Sequence, residues 1–254
     1  MRKFAAAGIA GFLLLLVVIV SVALGSTTSS TTSTTPSGTS AWPGISISPT
    51  VTPNKAGTPR HPQGVHLKVA VNWSKLGAAD QPIVTNIVVL FPKGSLYEGG
   101  KYPSCPVTTL NRVGPSACKK SSIMGHGSGI AYANTTLTKP TITVVNGGAN
   151  TVYFYTILNN PARVQEPVIG HIKKLNGGKW AYQLSVAVPQ NLQVVAGVPI
   201  ELTSLAVTAG SGSWLATTGC TGGKWPFQAT ATYINPNTNA TGSNSYASSV
   251  ACHK

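Results

Sequence analysis

The sequence predicts an all-β fold, an antiparallel β-sandwich or flattened barrel of about ten strands, on three observations. Apolar residues recur with period two over most of the chain beyond residue 64, so successive segments bury one face and wet the other. Asn-Gly-Gly triplets, Asn146-Gly147-Gly148 and Asn176-Gly177-Gly178, sit between such segments, where tight connections need a positive φ. Helical periodicity is almost missing, with one short exception near 107–112.

The strands are expected in this order. Val65, Leu67, Val69, Val71 and Trp73 alternate with His66, Lys68, Ala70 and Asn72. Ile83 to Phe91 is a more continuous apolar run and suits a central strand. Val107 to Arg112 is a helical turn or two between the first two cysteines. The glycines of Gly125-His126-Gly127-Ser128-Gly129 fit a bulge or bend leading into a strand at Ile130. Ile142 and Val144 alternate with threonines, then Asn146-Gly147-Gly148 turns the chain into Val152 to Leu158. Val168 to Lys174 and Lys179 to Val188 repeat that hairpin pattern, with Trp180, Tyr182, Leu184, Val186 and Val188 predicted on one face. Ile200 to Val207, Ser213 to Thr217 and Phe227 to Tyr233 complete the set.

Ahead of this domain, residues 1–25 read as a signal peptide or an N-terminal membrane anchor. Arg2 and Lys3 precede the apolar run Phe4 to Leu24, which ends at Ala23-Leu24-Gly25. The strongest part, Phe12 to Val20, matches a signal core, whereas the full run is also long enough to span a bilayer. Residues 26–63 read as a disordered Ser/Thr/Pro-rich linker, with the Trp42 to Val51 stretch able to add a short strand. The domain proper is 64–254, a size that buries a real core. An exported location, extracellular or at the cell surface, follows, with membrane contact only through residues 4–24 if they stay uncleaved.

The four cysteines, Cys105, Cys118, Cys220 and Cys252, allow three pairings in an oxidising compartment. Proximity in sequence favours Cys105–Cys118 and Cys220–Cys252, each worth about 3 kcal/mol in the chain-entropy model. The absence of Cys-x-x-Cys and His-x-x-x-His spacings argues against a metal site.

Charge limits the chemistry. There are 18 Lys and Arg against 4 Asp and Glu, a formal charge of +14. Only Asp80, Glu98, Glu166 and Glu201 are acidic. A glycosidase needs two placed acids and a triad hydrolase one more beside its histidine, so acid scarcity argues against both. Gly125-His126-Gly127-Ser128-Gly129 lacks the glycines two residues either side of the serine that a nucleophile elbow requires. No catalytic residue, metal ligand or cofactor is assigned.

The string Phe91-Pro92-Lys93-Gly94, Tyr102-Pro103-Ser104-Cys105, Gly114-Pro115-Ser116-Ala117-Cys118, Ser122-Ile123 and Gly127-Ser128-Gly129-Ile130-Ala131 resembles a family of secreted actinobacterial proteins without an assigned activity. Cys220-Thr221-Gly222-Gly223-Lys224-Trp225-Pro226-Phe227-Gln228-Ala229, closing at Cys252, is similar to the same family. The resemblance implies an extracellular β-sandwich-like domain. His126 departs from it, standing where that family has a small or apolar residue.

The expected function is therefore non-enzymatic: a structural or adhesive role in the cell envelope, with weak binding to an anionic cell-wall polymer or glycan and no specific reading of nucleic acid. The candidate ligand-binding residues are Lys119, Lys120, Lys173, Lys174, Lys224 and Trp225, the last as a partly exposed aromatic platform. Two alternatives stand beside it. One is an extracellular hydrolase with a sparse acidic site around Glu98 and Glu166. The other is a protein-interaction module that pairs through an exposed edge strand.

Overall fold

The computed structural model describes residues 42–74 and 82–254. The predicted leader, the linker as far as residue 41, and Asp80 lie outside the described residues. The chain runs β1 (Ile45–Thr52), β2 (Gln63–Gly64), β3 (His66–Trp73), β4 (Ile83–Pro92), β5 (Ser95–Tyr97) and α1 (Val107–Arg112). It continues through β6 (Ile123–Ala133), β7 (Thr136–Thr138), β8 (Thr141–Asn146), β9 (Thr151–Leu158), β10 (Val164–Lys174) and β11 (Trp180–Ala187). Then follow α2 (Gln190–Gln193), β12 (Val194–Val195), β13 (Val198–Ala209), β14 (Leu215–Thr217), β15 (Lys224–Ile234) and β16 (Thr241–Ala251).

Eleven of these strands form one curled wall in the order β1-β3-β13-β6-β8-β9-β10-β11-β4-β15-β16, with β7 and β12 as short branches. Every neighbouring pair along the wall is antiparallel. An odd run of antiparallel neighbours leaves its first and last strands pointing the same way. β1 and β16 meet accordingly in parallel, bridged at Lys55 and His253. There, Ala56 N donates to His253 O at 2.8 Å and His253 N to Asn54 O at 3.0 Å. At the other end of this seam Asn244 Nδ2 donates to the carbonyls of Trp42 and Pro43, at 3.0 and 2.8 Å. The wall is thus a nearly closed barrel.

Residues 45–52, inside the stretch read as linker, form the first wall strand, as the Trp42 to Val51 pattern allowed. Ile45, Ile47 and Val51 are buried and alternate with Ser46, Ser48 and Thr50, and Pro49 is accommodated because β1 pairs only with β3. The wall's eleven strands match the expected flattened barrel of about ten. One detail differs from the sequence expectation. Trp180 is out of phase with Tyr182 and Leu184, because the pairing of β11 with β4 shifts register between Trp180 and Tyr182. Trp180 is half-buried, with Lys179 Nζ 4.8 Å from its ring centroid.

The two ends of the barrel are distinct. The lower end, at the β8–β9 and β10–β11 turns, is plugged by a second sheet in the order β2-β14-β5. Trp214 packs edge-on to Tyr97 there, with ring centroids 5.3 Å apart. Asn146, fully buried, ties the plug to the wall. Its Oδ1 accepts from Trp214 Nε1 at 3.0 Å, Tyr97 Oη at 3.2 Å and Gly148 N at 3.3 Å. Its Nδ2 donates to the carbonyls of Gly99, Tyr102 and Pro103. Both disulfides join residues at this end, Cys105–Cys118 and Cys220–Cys252, the pairing that sequence proximity favours. The first staples α1 over the outer face of β8 and β9, where Leu110, Val145 and Tyr155 are buried together. The upper end, where β9 leads into β10, carries α2 and β12.

Candidate functional site

Inside the wall the strands alternate, broken only at local register shifts. On β4 Ile87, Val89 and Phe91 point inward, and on β15 Trp225, Phe227, Ala229, Ala231 and Tyr233 do so. Outward stand Gln228, Thr230 and Thr232 on β15, and His66, Lys68 and Asn72 on β3. An apolar interior with a polar exterior is the reverse of a membrane-spanning barrel, whose outer band is apolar.

The inward side chains do not fill the space they enclose. Eight strands make a barrel that side chains just fill, and a wider ring leaves room. Here an apolar cavity of about 280 Å³ extends from Ile83, Leu158 and Ile200 near the upper end to Trp214 and Trp225 at the plug. Leu184, Leu202, Leu205, Val207 and Phe91 line it and are only partly buried, although they face inward. The surface they leave uncovered is that of the lumen. The buried apolar residues accordingly split into separate clusters around the cavity and outside the wall instead of forming one core. Small inward residues widen the space further. A Cβ on Gly170 would stand 2.9 Å from each of Phe154, Leu184 and Val152, so glycine lets those side chains lie against the wall.

At about 24 cal/mol per Å³, leaving about 280 Å³ empty forgoes roughly 7 kcal/mol. That is on the scale of a whole domain's net stability, about 5–15 kcal/mol. The lumen is therefore a feature that an apolar occupant would stabilise strongly.

The polar groups near the lumen fall into two sets. At the plug they are bonded, apart from Thr217 Oγ1: Tyr97 Oη also lies 2.8 Å from the carbonyls of Gly148 and Thr151, which compete with Asn146 Oδ1 for its single proton. Burial, opposed by its contact with Trp214, pushes the Tyr97 hydroxyl well above the ordinary tyrosine range. At the upper end Trp73 Nε1 and Tyr233 Oη face one another without closing to hydrogen-bond geometry. Tyr233 is fully buried, stacked on Trp42 at 6.2 Å between centroids, and burial pushes its hydroxyl up to about 12.

The predicted binding residues separate in the structure. Trp225 is not a surface platform. It is 1% exposed, lines the lumen and donates from Nε1 to Gly219 O at 2.8 Å. It lies two residues before Phe227 in the inward phase of β15, a signal already present in the alternation. Lys119, Lys120, Lys173, Lys174 and Lys224 are all exposed and all belong to lower-end connections or strand ends. Lys55, Arg60, Lys93, Lys179 and Lys254 join them on that end. The acid there is Glu98, which pairs with Lys101. Glu166 and Glu201 lie at the upper end with Lys139 and Arg163. Among the described residues the positive charge thus gathers on the plugged end. Glu98 and Glu166, the pair that the hydrolase alternative requires, stand at opposite ends of the barrel. The lumen itself was absent from the sequence expectation.

No known protein family, curated protein or solved structure matches the chain.

Proposed function

We propose that the protein is an exported, non-enzymatic carrier that encloses an apolar molecule inside its barrel. The observation behind this reading is the continuous apolar lumen of about 280 Å³. Protein purified without detergent should release an apolar molecule in near-stoichiometric amount on organic extraction, read by mass spectrometry. Extraction should lower the thermal midpoint and add-back should restore it, because a ligand that binds only the folded state stabilises it. A chain that carries nothing and shows no saturable uptake of Nile red, a neutral apolar dye, would defeat the proposal.

A second reading is supported by the gathering of cations at the plugged end: attachment to an anionic cell-wall polymer or glycan, as charge alone suggested. One patch, rather than charge scattered over the surface, gives such attachment a direction. Retention on an anionic matrix should fall steeply with salt. The double substitution Lys173→Glu, Lys174→Glu should elute it earlier. An unchanged elution profile would remove the lower end from consideration.

A further inference from the structure

We infer that the lumen accepts uncharged lipids and rejects ionised ones, so that its ligand is a neutral long-chain molecule, such as an alcohol, and not a fatty-acid carboxylate or a phosphate ester. This rests on the carrier reading and names its ligand class.

Two observations point this way. First, among the described residues no Lys, Arg or His lines the cavity, although the chain is strongly basic. Most of the described cations stand outside the wall at the plugged end, beyond the β2-β14-β5 sheet, and Lys139 and Arg163 at the upper end do not line the cavity either. An anionic head group drawn into the lumen would lose its hydration and meet no counter-charge, which is costly. Second, a charged side chain does stand on the inward face, and it has the wrong sign for an anion. Glu166 pairs directly across from Thr156, a lumen residue, and lies two positions before Val168, another. Directly opposed residues on antiparallel strands share a face. Glu166 Oε2 accepts from Asn191 Nδ2 of α2 at 2.7 Å, which holds the carboxylate beside Leu192, a further lumen residue. At this upper margin a hydroxyl can donate to Glu166, whereas a carboxylate or phosphate is repelled. Rejection of the wrong head group by like charge is a direct way to discriminate between ligands with identical tails.

The test uses two competitors of equal chain length, hexadecan-1-ol and palmitate, displacing Nile red from the purified exported protein at pH 8. Hexadecanol should displace the dye at a concentration at least about tenfold lower than palmitate does. Glu166→Lys should close that gap at least severalfold, both by admitting palmitate and by removing the carboxylate that accepts the hexadecanol hydroxyl. Saturable dye uptake with equal displacement by both competitors, or an alcohol-to-acid ratio unmoved by Glu166→Lys, overturns the inference and leaves the carrier reading intact. Absence of saturable uptake overturns both.

Discussion

The plugged lower end and the upper end of the barrel solve the same packing problem in opposite ways. Below, most polar groups brought into the interior find partners, with Thr217 Oγ1 the exception among the described residues: Asn146 alone lies within hydrogen-bond distance of three donors and three carbonyls, and two disulfides fix the surrounding loops. Above, Trp73 Nε1, Tyr233 Oη and Thr138 Oγ1 are buried without a partner, and α2 is a four-residue turn with no side-chain cap. Satisfied polar networks rigidify, while orphaned polar groups subtract from stability. The difference marks the lower end as the fixed floor of the lumen and the upper end as the side with least to lose on opening.

The largest effect should come from breaking the floor. Asn146→Leu removes a buried hub and strands Trp214 Nε1 and the carbonyls it joins. A loss of about 4 kcal/mol in denaturant unfolding is expected, since each abandoned buried group costs about 1–3 kcal/mol. A loss below about 1 kcal/mol would mean the plug contributes little.

An intermediate effect separates packed residues from lumen residues. Leu110, fully buried under the Cys105–Cys118 loop, and Leu184, half-buried at the cavity, carry the same side chain in different surroundings. Leu110→Ala should cost about 3–4 kcal/mol and Leu184→Ala about half that, because Leu184 has fewer contacts to lose. Saturating the lumen with an apolar ligand should bring the second value up towards the first. Equal costs without ligand would show the cavity to be filled by side chains in solution.

The smallest effect belongs to the upper end. Tyr233→Phe deletes a hydroxyl with no partner and should change stability by less than about 1 kcal/mol, with a gain as the favoured sign. The pH dependence is larger than the substitution itself. An unfolded tyrosine ionises near about 10, whereas Tyr233 holds its proton up to about 12. Between those values the folded state binds more protons than the unfolded state, so stability falls as pH rises through that window. Tyr97 shifts in the same direction, and the alkaline slope should flatten in Tyr233→Phe and again when Tyr97→Phe is added. A slope indifferent to both substitutions would reject the burial argument.

Much of the wall was legible because period-two patterning and Asn-Gly-Gly turns are local signals. β3, β8, β9, the two hairpins, α1 and the disulfide pairs all follow from short stretches of sequence. The lumen was not legible in that way. Alternation tells which side chains face in, but not how far away the opposite wall stands. That distance depends on whether the sheet curls into a ring or folds into two layers. The gathering of cations was hidden for a related reason. In an antiparallel chain successive connections alternate between ends, so Lys55, Lys93, Lys119, Lys173 and Lys224, scattered through the sequence, fall on the same rim. Trp225 was misjudged from its Gly-Gly-Lys neighbours, which describe the approach to the strand and not the phase within it.

The parallel meeting of β1 and β16 also sets the order in which the molecule can be assembled. The meander β6-β8-β9-β10-β11 connects neighbours close in sequence and can form early, while the chain beyond it is still arriving. Its flanks must wait, because β4 is held between β11 and β15 and β3 between β1 and β13. Contacts of such long sequence separation form slowly. A chain delivered from its N-terminus therefore remains an open, apolar-faced sheet until β16 has emerged. On the carrier reading, a lipid present at that moment is wrapped by the closing wall, and the first occupant then depends on where in the cell the last strand is released.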